Sequence, residues 1–394
     1  MFDAGTFLLL VAALAIGWTL GRIKRSTPRT ASDTRTLSKD YFVGLNYLLN
    51  EQPDKAIETF SHALEVNSDT IDTHIALGNV FRLRGEADRA AKIHQNLLAR
   101  PALSDHQSAQ VQLELARDFF RLGVLDRSER LLVSLLKTDT FTDITQASRR
   151  LLIDIFERER EWQEALDTAH PLLKQDKKLR RDASYWQCEL AQKSIDHGQL
   201  PQARKQLRQA LSIDANCLRA NWLLADIEHI NARYGDELKY LKRMHTQDSH
   251  IVGLTLPRIV GTYNALDDHD GLVQYLNALL HHHPNSSALI ALAERTRTEH
   301  GPARAAELLS QQLKRSPSLK GVDYLLALYL EGGGATDALE QQLDLLKQHT
   351  EHLLKLRPGF QCGECGFKSR QHYWQCPQCR QWGAILPITG IEGE

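Results

Sequence analysis

The chain has 394 residues, too many for one simple core, so it divides into two or three domains or forms one long repeat array. Lys and Arg number 48 against 49 Asp and Glu, and the resulting net charge of −1 excludes a global basic field that would draw the chain to nucleic acid. Six cysteines, four of them between 362 and 379, are too few for a disulfide-stapled secreted domain and fit a reducing compartment.

Sparse Gly (23) and Pro (12) favour helix over strand, and a mean hydropathy of −0.38 makes most of the chain water-facing. The exception comes first. Residues 4–21 (AGTFLLLVAALAIGWTLG) carry no charge, and as a helix they span roughly 27 Å, enough for a bilayer core. Trp18 sits near one end, where an indole prefers the interface, and Arg22, Lys24, Arg25 and Arg29 follow at once. Positive charge stays cytoplasmic, so the expected topology is a single pass with the N-terminus outside and the bulk inside. A cleaved signal peptide would carry its basic residues before the apolar run, not after it. Residues 22–38 are polar and aperiodic, a flexible linker whose coil reach of about 20 Å keeps the body near the membrane face.

A repeat begins next. Gly44 and Tyr47 align with Gly78 and Phe81 at a shift of 34, and Ala56 lands on Ala90. Each stretch reads as two short helices joined by a polar turn. The small residues let the helices of one hairpin cross closely, and the aromatic fills the gap between hairpins. This resembles the tetratricopeptide repeat. Looser units follow with Ala116, Phe119, Leu132 and Leu135; with Ile153, Phe156, Ala165, Ala169 and Leu172; with Ala191, Ala203, Leu207 and Ala210; with Ala225 and Leu241; with Tyr263, Leu276 and Leu279; and with Ala293, Ala305 and Leu309. Pro284 and Pro317 each fall just past a second helix. Repeats of this kind stack into a superhelix whose first helices line a groove for partner peptides or helices. After Gly332-Gly333-Gly334 a last helix from about 336 to 356 is expected to cap the array.

The tail holds two CxxC pairs, Cys362/Cys365 and Cys376/Cys379, which present four thiolates to one tetrahedral ion. Gly366 lets the backbone turn so that its N–H groups face sulfur, and Pro377 stiffens the second loop. Zinc is favoured over iron, although rubredoxin holds iron with similar knuckles. Some 35 residues cannot fold on their own core, so metal binding must hold them, with Phe367, Tyr373, Trp374 and Trp382 packing around the site or against the last repeats.

Other tempting features carry little chemistry. His281-His282-His283 points in several directions and reads as a solvated helix end. Asp267, Asp268, His269 and Asp270 read as a polar turn, and Cys188 and Cys217 as buried small apolar residues. No phosphate loop, HExxH, GxSxG or dinucleotide motif is present, and no catalytic or organic-cofactor residues are expected.

Anchor, repeats and double knuckle together resemble the lipopolysaccharide assembly protein B family of Gram-negative inner-membrane proteins, most closely in FQCGECGFKSRQHYWQCPQCRQWGAILPI and DYFVGLNYLLNEQPDKAIETF. The resemblance maps the family's metal ligands onto Cys362, Cys365, Cys376 and Cys379. It implies a rubredoxin-type domain docked on the repeats, both on the cytoplasmic side of the inner membrane. It also implies an adaptor that helps the membrane protease FtsH degrade the deacetylase LpxC and that organises lipopolysaccharide-synthesis proteins. The expected fold class is all-α, divided into a transmembrane anchor (1–21), a linker (22–38), a tetratricopeptide-repeat solenoid (39–356) and a rubredoxin-like or zinc-ribbon module (357–394). An iron-based electron carrier and a membrane-linked RNA-binding scaffold are the rival readings. Lys368, Arg370 and Arg380 with exposed aromatics give the latter only thin support.

Overall fold

The computed structural model describes residues 71–391 apart from 102, 283–284 and 334–336, together with positions 43, 46, 47 and 55. The expected anchor, the linker and most of the first repeat lie outside the described residues. Among those described, no helix is long and apolar enough to cross a membrane. The chain falls into two compact units, residues 1–131 and 132–394.

The first unit contains α1 (Ile71–Leu83), α2 (Ala87–Leu98), α3 (Asp105–Arg121) and the start of α4 (Leu125–Thr138), within which the division falls. Gly78 sits where α1 crosses α2. A Cβ there would lie 2.5 Å from the His94 ring, so only glycine fits. Ala90, fully buried, packs with Leu77 and Phe81. Arg82 donates to Asp118 at 2.8 Å, and the other Asp118 oxygen meets His94 Nδ1, a buried network that ties the first hairpin to α3. Ser104 and Gln107 form a reciprocal cap at the start of α3, satisfying two N–H groups that the helix leaves open.

The second unit continues the hairpins with α5 (Thr142–Glu159), α6 (Trp162–Ala169), α7 (Lys177–Asp196), α8 (Leu200–Ile213), α9 (Leu218–Ile230) and α10 (Tyr234–Gln247). It goes on with α11 (Val252–Ala265), α12 (His269–His282), α13 (Ser286–His300), α14 (Pro302–Leu313) and α15 (Leu319–Gly332). The residues that marked the repeat are its core. Ala165, Ala203, Ala210, Ala225 and Ala305 are wholly buried at helix crossings, and so are Leu207, Leu241, Leu276 and Leu309. Burying each such leucine contributes about 1.5–3 kcal/mol. Cys188 and Cys217 are buried as expected, with their sulfurs 3.7 Å apart.

Each hairpin turns through one residue in the left-handed region: Gly85, Gly123, Arg160, Gly198, Ala232, Asp267 and Gly301. Up to Gly198 these lie 37–38 residues apart, and beyond it 34–35. A fixed period of 34 therefore slips through the middle units, where helices α3, α5 and α7 run to 17–20 residues. Helix α16 (Asp337–Leu356) follows α15 but buries none of its own residues, so it caps the array only lightly.

The last module departs from the all-α expectation. Strands β1 (Phe360–Cys362), β2 (Lys368–Ser369) and β3 (Ile385–Pro387) form an antiparallel sheet in the order β2-β1-β3, with Cys362 opposite Ile385. Strands of two or three residues are too short to show an alternating pattern in sequence.

Candidate metal centre and its docking surface

Two loops of matching conformation build the site. After Cys365 the chain turns through Gly366 at φ 76°, whose N–H donates to the Cys362 carbonyl at 3.0 Å. After Cys379 it turns through Arg380 at φ 62°, whose N–H donates to the Cys376 carbonyl at 2.9 Å. The second knuckle thus makes with arginine the left-handed turn that the first makes with glycine. Sheet pairing brings the loops together: Cys362 N–H donates to Phe367, and Gly363 N–H to Ala384, both at 2.8 Å.

All four sulfurs lie within 4.8 Å of one another, an arrangement that can hold one metal ion. Cys362–Cys379 and Cys365–Cys376 are each 3.7 Å apart. A tetrahedron with metal–sulfur bonds of about 2.3 Å has edges of about 3.8 Å, so the donor set matches a Cys₄ ion in both size and chemistry. Ala384 and Ile385 close the site from the sheet, with Phe360 and Phe367 partly buried beside the cysteines.

Phe367 packs at the site as expected, but Trp374 and Trp382 do not meet the last repeats. They reach the middle of the array, where aromatic partners wait. Trp382 stacks on Tyr185 of α7 at 5.4 Å between centroids and meets Trp162 of α6 edge-on at 5.9 Å. Trp374 lies edge-on to Trp222 of α9 at 6.1 Å, with the Arg219 guanidinium over its ring. Gly383, at φ 61°, lies so close to Tyr185 that a Cβ would fall inside the phenol. Tyr373 stays largely exposed.

One carboxylate sits at the centre of this contact. Glu157, at the end of α5, accepts from Trp382 Nε1 at 3.1 Å and from the Gln375 amide, with Arg380 3.9 Å away. Burial pushes its pKa up to about 7, reinforced by the charge of Asp182 and opposed by Arg380 and the Trp382 hydrogen bond. Asp182 on α7 is itself pushed up by burial, to about 6, and Asp154 is raised for the same reason. Within the module His372 is wedged against Phe360 and Trp374, and burial lowers it to about 4. The sequence reading missed Glu157, Trp162, Tyr185 and Trp222. Their one signal was rarity: four of the six tryptophans meet at this contact.

The comparisons agree with both parts. Residues 360–387 match the rubredoxin metal binding domain family, and residues 188–249 match the tetratricopeptide repeat. Lipopolysaccharide assembly protein B of Escherichia coli K12 is 32% identical over 98% of this chain and 98% of its own. The chain belongs to that family. The protein of the same name from Haemophilus influenzae is also 32% identical, over 98% of each chain. Membership spans repeats and metal module alike, so the two are parts of one family architecture.

Proposed function

We propose that the protein is a non-catalytic adaptor that restrains lipopolysaccharide synthesis from the inner membrane. Residues 1–21 anchor it with the N-terminus periplasmic, 22–38 link the anchor to the body, the repeats of 39–356 bind proteins, and 357–394 form a metal-folded end. Its partners are the protease FtsH, the deacetylase LpxC and other lipopolysaccharide-synthesis proteins. The adaptor brings LpxC to FtsH for degradation. Membership of a family named for lipopolysaccharide assembly carries this reading. Tethering supports it physically, because a body held within a linker length of the bilayer meets membrane partners at an effective concentration of about millimolar.

In this reading Cys362, Cys365, Cys376 and Cys379 hold one zinc ion. A closed tetrahedral set of four sulfurs is the usual structural zinc site, and the ion's contribution here is to fold the module. The module in turn presents Trp374 and Trp382 to the repeats, so the ion sets the shape of the surface that partners meet. Deleting residues 1–21 should slow LpxC turnover in cells, and so should Cys362→Ser/Cys365→Ser; unchanged turnover in both strains would end the adaptor reading. The rubredoxin match favours one rival, an iron centre that carries electrons. Red protein with a reversible optical change on reduction would replace zinc by iron, and colourless protein containing one zinc would exclude it.

A further inference from the structure

A hollow of about 890 Å3 lies on the second unit, away from the cysteines, where the turns between successive hairpins meet the chain's tail. Its floor is aliphatic: Leu289 and Leu292 are buried, while Leu280 and Leu308 are partly so. Its rim is polar, with Asn277, His250, His281, Gln312 and Arg315. Thr389, Gly390 and Ile391 make one wall, pinned where Leu319 N–H donates to the Ile391 carbonyl at 3.0 Å.

Three features mark the hollow. Among the described residues, no Asp or Glu lines it. The Arg315 guanidinium has no ion-pair partner among the described residues, although it stands in a chain with 49 acids against 48 bases. The side-chain amides of Asn277 and Gln312 have no partner among the described residues either, nor do the backbone groups of Thr389 and Gly390. A second hollow of about 530 Å3 shares Ser249 with the first, is lined by Lys242, His245 and His282, and also has no carboxylate among its described lining residues.

We propose that this hollow is a docking cleft for a short acidic, leucine-bearing segment of a partner protein. The volume and leucine floor suit two or three aliphatic side chains. Arg315 supplies the counter-charge for a carboxylate, in the two-pronged geometry that guanidinium favours. Amides donate and accept at once, as a peptide backbone does, and the open edge at Thr389–Gly390 offers further backbone pairing. A lipid-like anion would use only the floor and the arginine, whereas a peptide backbone also engages the amides and the edge. The proposal rests on the adaptor reading and gives it a place: a partner seated here touches both the repeats and the tail of the metal module.

The test uses the full chain in nanodiscs and a fluorescein-labelled ten-residue peptide of alternating leucine and glutamate. Anisotropy should report saturable binding that weakens about tenfold when Arg315→Glu is introduced or when glutamine replaces glutamate in the peptide. The reversed pair, a leucine–lysine peptide with Arg315→Glu, should regain affinity. Arg315 is exposed, so its replacement leaves the fold intact. Equal binding of the glutamate and glutamine peptides would overturn the proposal, as would dodecyl phosphate binding through Arg315 where the peptide does not. Cellular LpxC turnover separates the two readings. If wild type drives turnover and Arg315→Glu drives it equally, the cleft falls and the adaptor stands. If wild type drives none, the adaptor falls and the peptide affinities alone decide the cleft.

Discussion

Replacing Glu157 by glutamine should remove a pH dependence from the stability of the fold around the docked metal module. The carboxylate is nearly enclosed, with 14% of its side chain exposed, and its pKa rises from an ordinary 4.5 to about 7. In the folded protein it therefore holds a proton that the unfolded chain releases between those values. Proton binding by the folded form makes the fold most stable below about pH 4.5 and least stable above about pH 7, so stability is lost as pH rises through that window. The shift corresponds to about 3 kcal/mol. Asp154 from its own helix and Asp182 from α7 face the same spot and push the same way, with Arg380 from the module opposing them. Glutamine keeps an oxygen for the Trp382 and Gln375 donors but cannot ionise. Tryptophan emission reports the dock directly, because four of six tryptophans lie in it. Urea titrations at pH 4.5 and 7.5 should show wild type losing about 3 kcal/mol more than Glu157→Gln between the two. Parallel pH profiles would refute the buried-charge account. Glu157→Ala should be weaker than Glu157→Gln even at pH 4.5, by about 1–3 kcal/mol, since it strands the Trp382 N–H without an acceptor.

Stripping the metal with a strong chelator should unfold residues 360–387 and shift tryptophan emission to the red, while far-ultraviolet dichroism keeps the helices; retention of the module's tryptophan signal would show that no ion holds it. Trp382→Ala should cost about 3–5 kcal/mol of docking by removing the stack on Tyr185 and the edge contact with Trp162, and protease sensitivity confined to the tail would register it. Gly78→Ala should destabilise the first hairpin by about 1–3 kcal/mol, because its methyl meets the buried His94 ring, whereas Gly261→Ala, with open space around it, should be near neutral in the same thermal melts.

Local chemistry was legible in this sequence wherever a residue's type alone dictates its place. A CxxC pair presents two sulfurs whatever surrounds it, and alanine or glycine at a helix crossing is forced by the closeness of two backbones. Cys362, Cys365, Cys376 and Cys379 therefore converge as spacing required, and Ala203, Ala225 and Ala305 are buried as the repeat required. What failed was anything set by geometry between distant segments. The middle hairpins are lengthened by whole helical turns, which preserves packing but breaks a fixed period, so those units looked degenerate while folding like the rest. Glu157 reads in sequence as one more helix-end carboxylate. It becomes a buried acid only because Trp382 and Gln375 arrive from more than two hundred residues away. Gly383 shows the same dependence: its glycine answers not to its own loop but to the Tyr185 phenol on α7. Here the repeats carry a glutamate, two tryptophans and a tyrosine, and the ribbon carries an alanine-intolerant glycine that fits them. An ion held by the four sulfurs would therefore act past them, through Trp374 and Trp382, on helices α5, α6, α7 and α9.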